Sequence, residues 1–195
     1  MMTDRLETLF NLIDAANSQD PHHDQVAEHL IPRALLYGQR MSLWLERLDP
    51  LAPEVLKIAA RGQHLRRFDI PRDHYPEGRT GYLNWRTTLY RFHADRLTEL
   101  MQAVGYDEAS MLRVRTLVEK RGIKTDAEVQ RLEDVICLVF LEYYFIDFAA
   151  RHDEEKLIGI VQKTWSKMSD AGHHFALTLP FPESIQGLLG KALGS

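Results

Sequence analysis

Apolar residues recur at three- and four-residue intervals along nearly the whole chain, the spacing that places them on one side of an α-helix. Leu6, Phe10 and Ile13 predict a first helix over about residues 4–17, closed by Asn17-Ser18-Gln19-Asp20-Pro21. His22 to Glu28 is polar and reads as loop. Leu35, Leu36, Met41, Trp44, Leu45 and Leu48 give the face of a second helix over about residues 33–48, stopped by Asp49-Pro50. Pro53 suits the first turn of a third helix, which reaches about residue 68 with Val55, Ile58, Ala59 and Leu65 inward. Residues 69–81 then hold two prolines and two glycines and predict a long irregular connection, a length that in compact domains often serves function.

A fourth helix is expected over about residues 82–104, ended by Gly105, and a fifth over about 107–120. Thr125 and Glu128 have capping-box spacing for a sixth, running to about Ala150. From Val135 to Phe148 it is apolar nearly all round, the pattern of a central, surrounded helix. Residues 153–168 and 182–193 predict a seventh and an eighth helix. The alternation that marks a strand is missing. The expectation is an all-α fold: a single domain over residues 1–195, of about eight helices around a central apolar one.

Length and composition fit that expectation: 195 residues with 45% hydrophobic and 27% charged content suit one globular domain. No stretch reaches the roughly 18 apolar residues that span a bilayer; the most apolar run, Val135 to Ile146, already carries Glu142. Residues 1–10 are charged and lack the apolar region and cleavage site of a signal peptide. The single Cys137, in an apolar helix, excludes an internal disulfide and a multi-thiol zinc site. A cytoplasmic location and no membrane partner are expected. The net charge of −4 is unevenly spread. Between Arg61 and Arg96, eight arginines and no lysine face four acids, so this segment is +4 and the remainder −8. Arginine is suited to forked hydrogen bonding of phosphate or carboxylate; the same residues could instead make structural ion pairs.

Three polar residues fall where the pattern predicts burial: His64, His93 and Asp134, the last with Glu133 beside it. A buried carboxylate is costly unless paired or metal-bound. Two imidazoles and a carboxylate suit a divalent metal such as Mn, Fe or Zn. The alternatives are core histidines bonded to backbone, and acids that only favour the first half of their helix. His74 could join from the loop or be solvated there. The pairs His22-His23 and His173-His174 read as loop residues.

The succession from Leu36 to Leu65 resembles the opening of the HD-domain superfamily of His/Asp metal-dependent phosphohydrolases. His93-Ala94-Asp95-Arg96-Leu97-Thr98-Glu99-Leu100-Met101 with Val104-Gly105-Tyr106-Asp107 resembles that superfamily's later His-bearing helix, and Leu132-Glu133-Asp134-Val135 the helix of its final Asp ligand. The pattern is degenerate: Gln39 stands at the first His and Leu65 at the Asp that should follow His64. The whole chain is more closely similar to an uncharacterised bacterial and fungal family, sometimes labelled glutamyl-tRNA synthetase-like. The matching strings are Leu35-Leu36-Tyr37-Gly38-Gln39-Arg40-Met41, Ala60-Arg61-Gly62-Gln63-His64, Ile70-Pro71-Arg72, Gly81-Tyr82-Leu83-Asn84-Trp85-Arg86, the run Leu132 to Glu142, and the run Lys163 to Ser169. That likeness implies no activity, and a synthetase would need a nucleotide-binding sheet for which no strands are expected.

The leading expectation is a metal-dependent, phosphohydrolase-like enzyme acting on a small phosphorylated or nucleotide-like anion. His64, His93 and Asp134 would hold a metal that lowers the pKa of a bound water. Glu133 would be the general base, with His64 also at the catalytic centre. Arg61, Arg79 and Arg86 would position the phosphate in a cleft shared with Gln39 and Arg40. Tyr82 and Trp85, together with Tyr75 and Trp44, could stack on a ring or simply pack. The rivals are a non-catalytic module that binds an anion in the same arginine-lined cleft, and a helical scaffold for a protein partner. Nucleic acid is disfavoured by the negative overall charge and the absence of a recognition motif.

Overall fold

The computed structural model describes residues 4–194. Among them, ten α-helices and one short antiparallel hairpin follow in the order α1 (Arg5–Asn17), β1 (His23–Val26), β2 (His29–Pro32), α2 (Arg33–Leu48), α3 (Glu54–Gly62), α4 (Gly78–Ala103), α5 (Glu108–Val118), α6 (Ala127–Tyr143), α7 (Phe145–Ala149), α8 (Glu154–Lys167), α9 (Asp170–Leu177) and α10 (Glu183–Leu193). No helix among the described residues is long and apolar enough to cross a membrane. The chain forms two compact units, Met1–Gly122 and Ile123–Ser195.

In the N-terminal unit α3 is the central element, packed against α1, α2 and α5, while α4 packs on α5 and α1. Ile58, Ala59 and Ala60 are fully buried. Small residues on α3 let a neighbouring helix come close: a Cβ on Gly62 would lie 2.5 Å from Leu97 Cδ2 of α4. Buried polar groups tie the chain turns to this core. Asn17 Oδ1 accepts the Arg66 amide at 2.9 Å. Asp20 accepts the amides of His22 and Ala34, both at 2.9 Å, and so caps α2 at an N-terminus where Pro32 offers no capping side chain. Arg61 reaches from α3 to both carboxylate oxygens of Asp14 on α1.

In the C-terminal unit α6 packs against α7, α8 and α9, and α8 packs against α10. Val129, Leu132, Val135, Leu138 and Val139 of α6 are buried. Asp134, 1% exposed, accepts the Ser169 amide at 2.7 Å and the Ser169 hydroxyl at 2.5 Å. Ser169 is in turn the N-cap of α9, so a buried carboxylate fixes the entry to that helix.

Several boundaries differ from expectation. The segment read as loop pairs instead: His23, Asp24, Gln25 and Val26 lie opposite Pro32, Ile31, Leu30 and His29. Neither strand has a buried residue, so no apolar alternation marks it. α3 ends at Gly62, and two 3₁₀ turns, Arg67–Asp69 and Arg72–His74, follow. α4 begins at Gly78 rather than near Tyr82, and Gly81 is packed so closely on the Pro76 carbonyl that a Cβ would overlap it. The cap of α6 is Asp126, which accepts the amides of Glu128 and Val129, in place of the expected Thr125. α6 breaks at Tyr144 and the chain resumes as α7. Ile146, within the stretch expected to be surrounded, is 44% exposed. α9 was not expected; it places His173 and His174 on a helix, with His173 stacked on Trp165 at 4.0 Å.

Candidate anion site

α4 carries Tyr82, Arg86 and Tyr90 four residues apart, hence along one face. Arg86 donates Nη1 to Tyr82 Oη at 3.4 Å and Nη2 to Tyr90 Oη. Its guanidinium carbon is 5.7 Å and 5.3 Å from the two ring centroids. Arg67 approaches from the segment after α3, its guanidinium carbon 4.6 Å over the Trp85 ring. The Trp85 indole N–H donates to the Ile70 carbonyl at 2.9 Å, which ties this segment to α4. The preceding residue, Arg66, adopts a left-handed backbone (φ 52°), uncommon for a residue with a side chain. Its amide is held by Asn17 and its guanidinium by Asp69 and Gln19. Lys120 lies with Nζ 5.6 Å from the Tyr90 ring.

Two imidazoles complete the group. His64 stacks on Tyr37 at 3.9 Å and lies 5.8 Å from His93, centroid to centroid. His93, 1% exposed, bonds through Nδ1 to the Leu65 carbonyl at 2.8 Å. A carbonyl only accepts, so Nδ1 carries the proton.

The local potential is positive. Burial first, then the charges of Arg67, Lys120 and Arg86 together with His93, hold the His64 pKa well below its ordinary value. Burial, reinforced by Arg67 and resisted by the bond to Leu65, takes His93 down to about 3. Both rings are neutral at physiological pH. Burial and the neighbouring Arg86 lower the Arg67 pKa against the opposing effect of Tyr37, Tyr82 and Tyr90. Burial also works against the Arg86 charge, but Tyr90 and Tyr82 outweigh it and its pKa is raised. Elsewhere the guanidinium groups of Arg61, Arg66, Arg96, Arg115 and Arg121 each meet a carboxylate. Arg67 and Arg86, both half-buried, meet rings and phenol oxygens, and no carboxylate among the described residues.

The structure thus brings together five of the sequence-derived site residues: His64, His93, Tyr82, Trp85 and Arg86. Arg61 is taken up by Asp14, with Nη1 also donating to Ser42 at 3.3 Å. Arg79 is exposed on the first turn of α4. Gln39 is exposed and Arg40 half-buried on α2. Asp134 and Glu133 belong to the C-terminal unit. There Asp134 is bonded to Ser169 and to Gln130 Nε2 at 3.1 Å, and buried Glu133 lies 3.9 Å from Lys167 Nζ. Among the described residues no group of three or more His, Cys, Asp or Glu side chains is arranged to hold a metal ion. Arg67, Tyr37, Tyr90 and Lys120 are members that the sequence reading did not select. The Tyr82-Arg86-Tyr90 spacing was a usable signal for Tyr90; nothing in the chain singled out Arg67 among eight arginines.

The C-terminal unit has a separate, largely apolar cavity of about 370 Å³ bordered by Leu141, Val161, Trp165, Ala176, Phe181 and Leu189.

Residues 7–189 match the model of a family described as Domain of unknown function (DUF4202). The chain belongs to this family. No curated protein and no solved structure matches it. Family membership therefore brings no assigned chemistry.

Proposed function

We propose that the N-terminal unit binds a small phosphorylated or nucleotide-like anion between Arg67 and Arg86. One observation carries this reading: two neighbouring, half-buried guanidinium groups have aromatic rings and phenol oxygens for company but no acid among the described residues. Removing charge from water without a counter-charge costs stability. That cost is offset when an anion arrives, and planar forked donors suit phosphate oxygens. Tyr82 and Trp85 supply aromatic surface at the same place. Neutral His64 and His93 add no acid that would repel the ligand. The test is a thermal-shift panel of phosphate monoesters and nucleotides against the matching neutral sugars and nucleosides. Stabilisation by the phosphorylated members alone supports the reading. No shift with any of them favours the protein-scaffold alternative.

A metal-dependent hydrolase is the second reading. What favours it is His93: a ring held through Nδ1 by a backbone carbonyl, with Nε2 left over, is the usual setting of a metal-binding imidazole. The donor set of the unit does not fit a divalent ion well, because the other charged members are Arg67, Arg86 and Lys120. Metal analysis of protein purified without a His tag decides: near-stoichiometric Mn, Fe or Zn that His64→Ala abolishes would restore the hydrolase reading, and metal-free protein that still binds phosphate esters would retire it.

A further inference from the structure

His93 Nε2 is buried and has no hydrogen-bond partner among the described residues. Because Nδ1 donates to Leu65 and the ring is neutral, Nε2 bears a bare lone pair. A buried acceptor left unmade is costly, and such atoms are rare in native proteins. Gln63 Oε1, in the same connection, is also without a partner among the described residues. An amide can be turned end for end to exchange acceptor for donor; an imidazole tied through Nδ1 has no such freedom. The arginine clamp for the anion is close at hand: Leu65, whose carbonyl holds His93, is two residues from Arg67, and the positive charge of Arg67 acts on the His93 ring. Beside His93, the half-buried ring of His64 makes no hydrogen bond among the described residues and is steadied by stacking on Tyr37.

We infer that the ligand is a hydroxylated phosphate monoester, a polyol or sugar phosphate, whose phosphate sits on Arg67 and Arg86 and whose hydroxyl donates to His93 Nε2 alongside His64. This rests on the anion reading above and adds the second contact. The two groups differ in kind: the arginines recognise charge, and His93 recognises a neutral donor. An alkyl phosphate satisfies only the first. A hydroxyl that fills an otherwise unmade buried acceptor is a strong discriminator, because its absence leaves the site's polar atom unpaired.

The experiment compares inorganic phosphate, propyl phosphate and glycerol 3-phosphate on the wild-type protein by calorimetric titration, with the His93 ring nitrogens followed by ¹⁵N NMR. Propyl and glycerol phosphate share a carbon skeleton and differ in two hydroxyls. The expected result is that glycerol 3-phosphate binds about tenfold tighter than propyl phosphate, the size of one well-made hydrogen bond, and that it alone moves the Nε2 resonance. Equal affinities, or tighter binding with an unmoved Nε2 resonance, would overturn the inference while leaving the anion reading in place. Failure of all three to bind would overturn both.

Discussion

Acidification should destabilise the N-terminal unit through His93, by an amount that follows from its surroundings. The ring is 1% exposed, and burial takes its pKa from 6.5 to about 3 in the folded protein. Unfolding returns it to its ordinary value. Between these two values the unfolded chain binds a proton that the folded chain refuses, so stability is full above about pH 6.5 and falls as the pH drops toward 3. Each pKa unit corresponds to about 1.4 kcal/mol, and the two-state titration expression gives a loss of about 2 kcal/mol by pH 5 from this one group. His64 is lowered in the same direction and adds to the slope. Urea unfolding midpoints measured from pH 7.5 to 5 for the wild type and for His93→Leu isolate the effect. The variant should start less stable, because the Leu65 carbonyl loses its donor, yet lose about 2 kcal/mol less across the range. In the wild type the His93 ring resonances should not titrate above pH 4. Parallel pH profiles for the two proteins, or a His93 titration near pH 6, would show that burial does not hold the His93 pKa down.

Other consequences concern residues whose work is structural. Asp134→Ala removes the acceptor that holds the cap of α9 and should cost about 2 to 3 kcal/mol in chemical denaturation; because its bonds lie within the C-terminal unit, phosphate binding should survive. Gly62→Ala places a methyl group against Leu97 and should cost about 1 to 3 kcal/mol; a variant as stable as the wild type would show that α3 and α4 are less closely packed than described.

The parts of the fold that could be read from the chain are those where burial and helical period coincide. Leu36, Met41, Trp44, Leu45 and Leu48 repeat on one face, and α2 begins and ends where that repeat does. The hairpin escaped because its strands bury nothing; it is held by backbone pairing and by the Arg33–Asp24 contact at 2.9 Å. α9 escaped because Gly172, His173 and His174 interrupt any apolar repeat, and its start is set by Ser169 and a carboxylate 35 residues earlier in the chain. The break at Tyr144 has no glycine or proline to announce it. For the site, an Arg- and His-rich segment was legible, and His64, His93, Tyr82, Trp85 and Arg86 do gather. Which arginines would be neutralised was not legible. Arg61 finds Asp14 from 47 residues away and Arg66 finds Asp69 across one turn, whereas Arg67, their neighbour in sequence, finds the face of Trp85. Pairing of charges is decided by tertiary placement, and a composition count cannot assign it.

On the proposed reading Arg67 is kept for a ligand. Its most direct test is titration of inorganic phosphate, at low ionic strength, into ¹⁵N-labelled wild type and Arg67→Met, with circular dichroism to establish that both are folded. Saturable shifts are expected in the wild type at residues around Trp85, Arg86 and His93. In Arg67→Met the affinity should fall at least tenfold, the worth of a charge-assisted hydrogen bond, with no loss of helix. Equal affinity in the two proteins, or no saturable shift in the wild type, would contradict it.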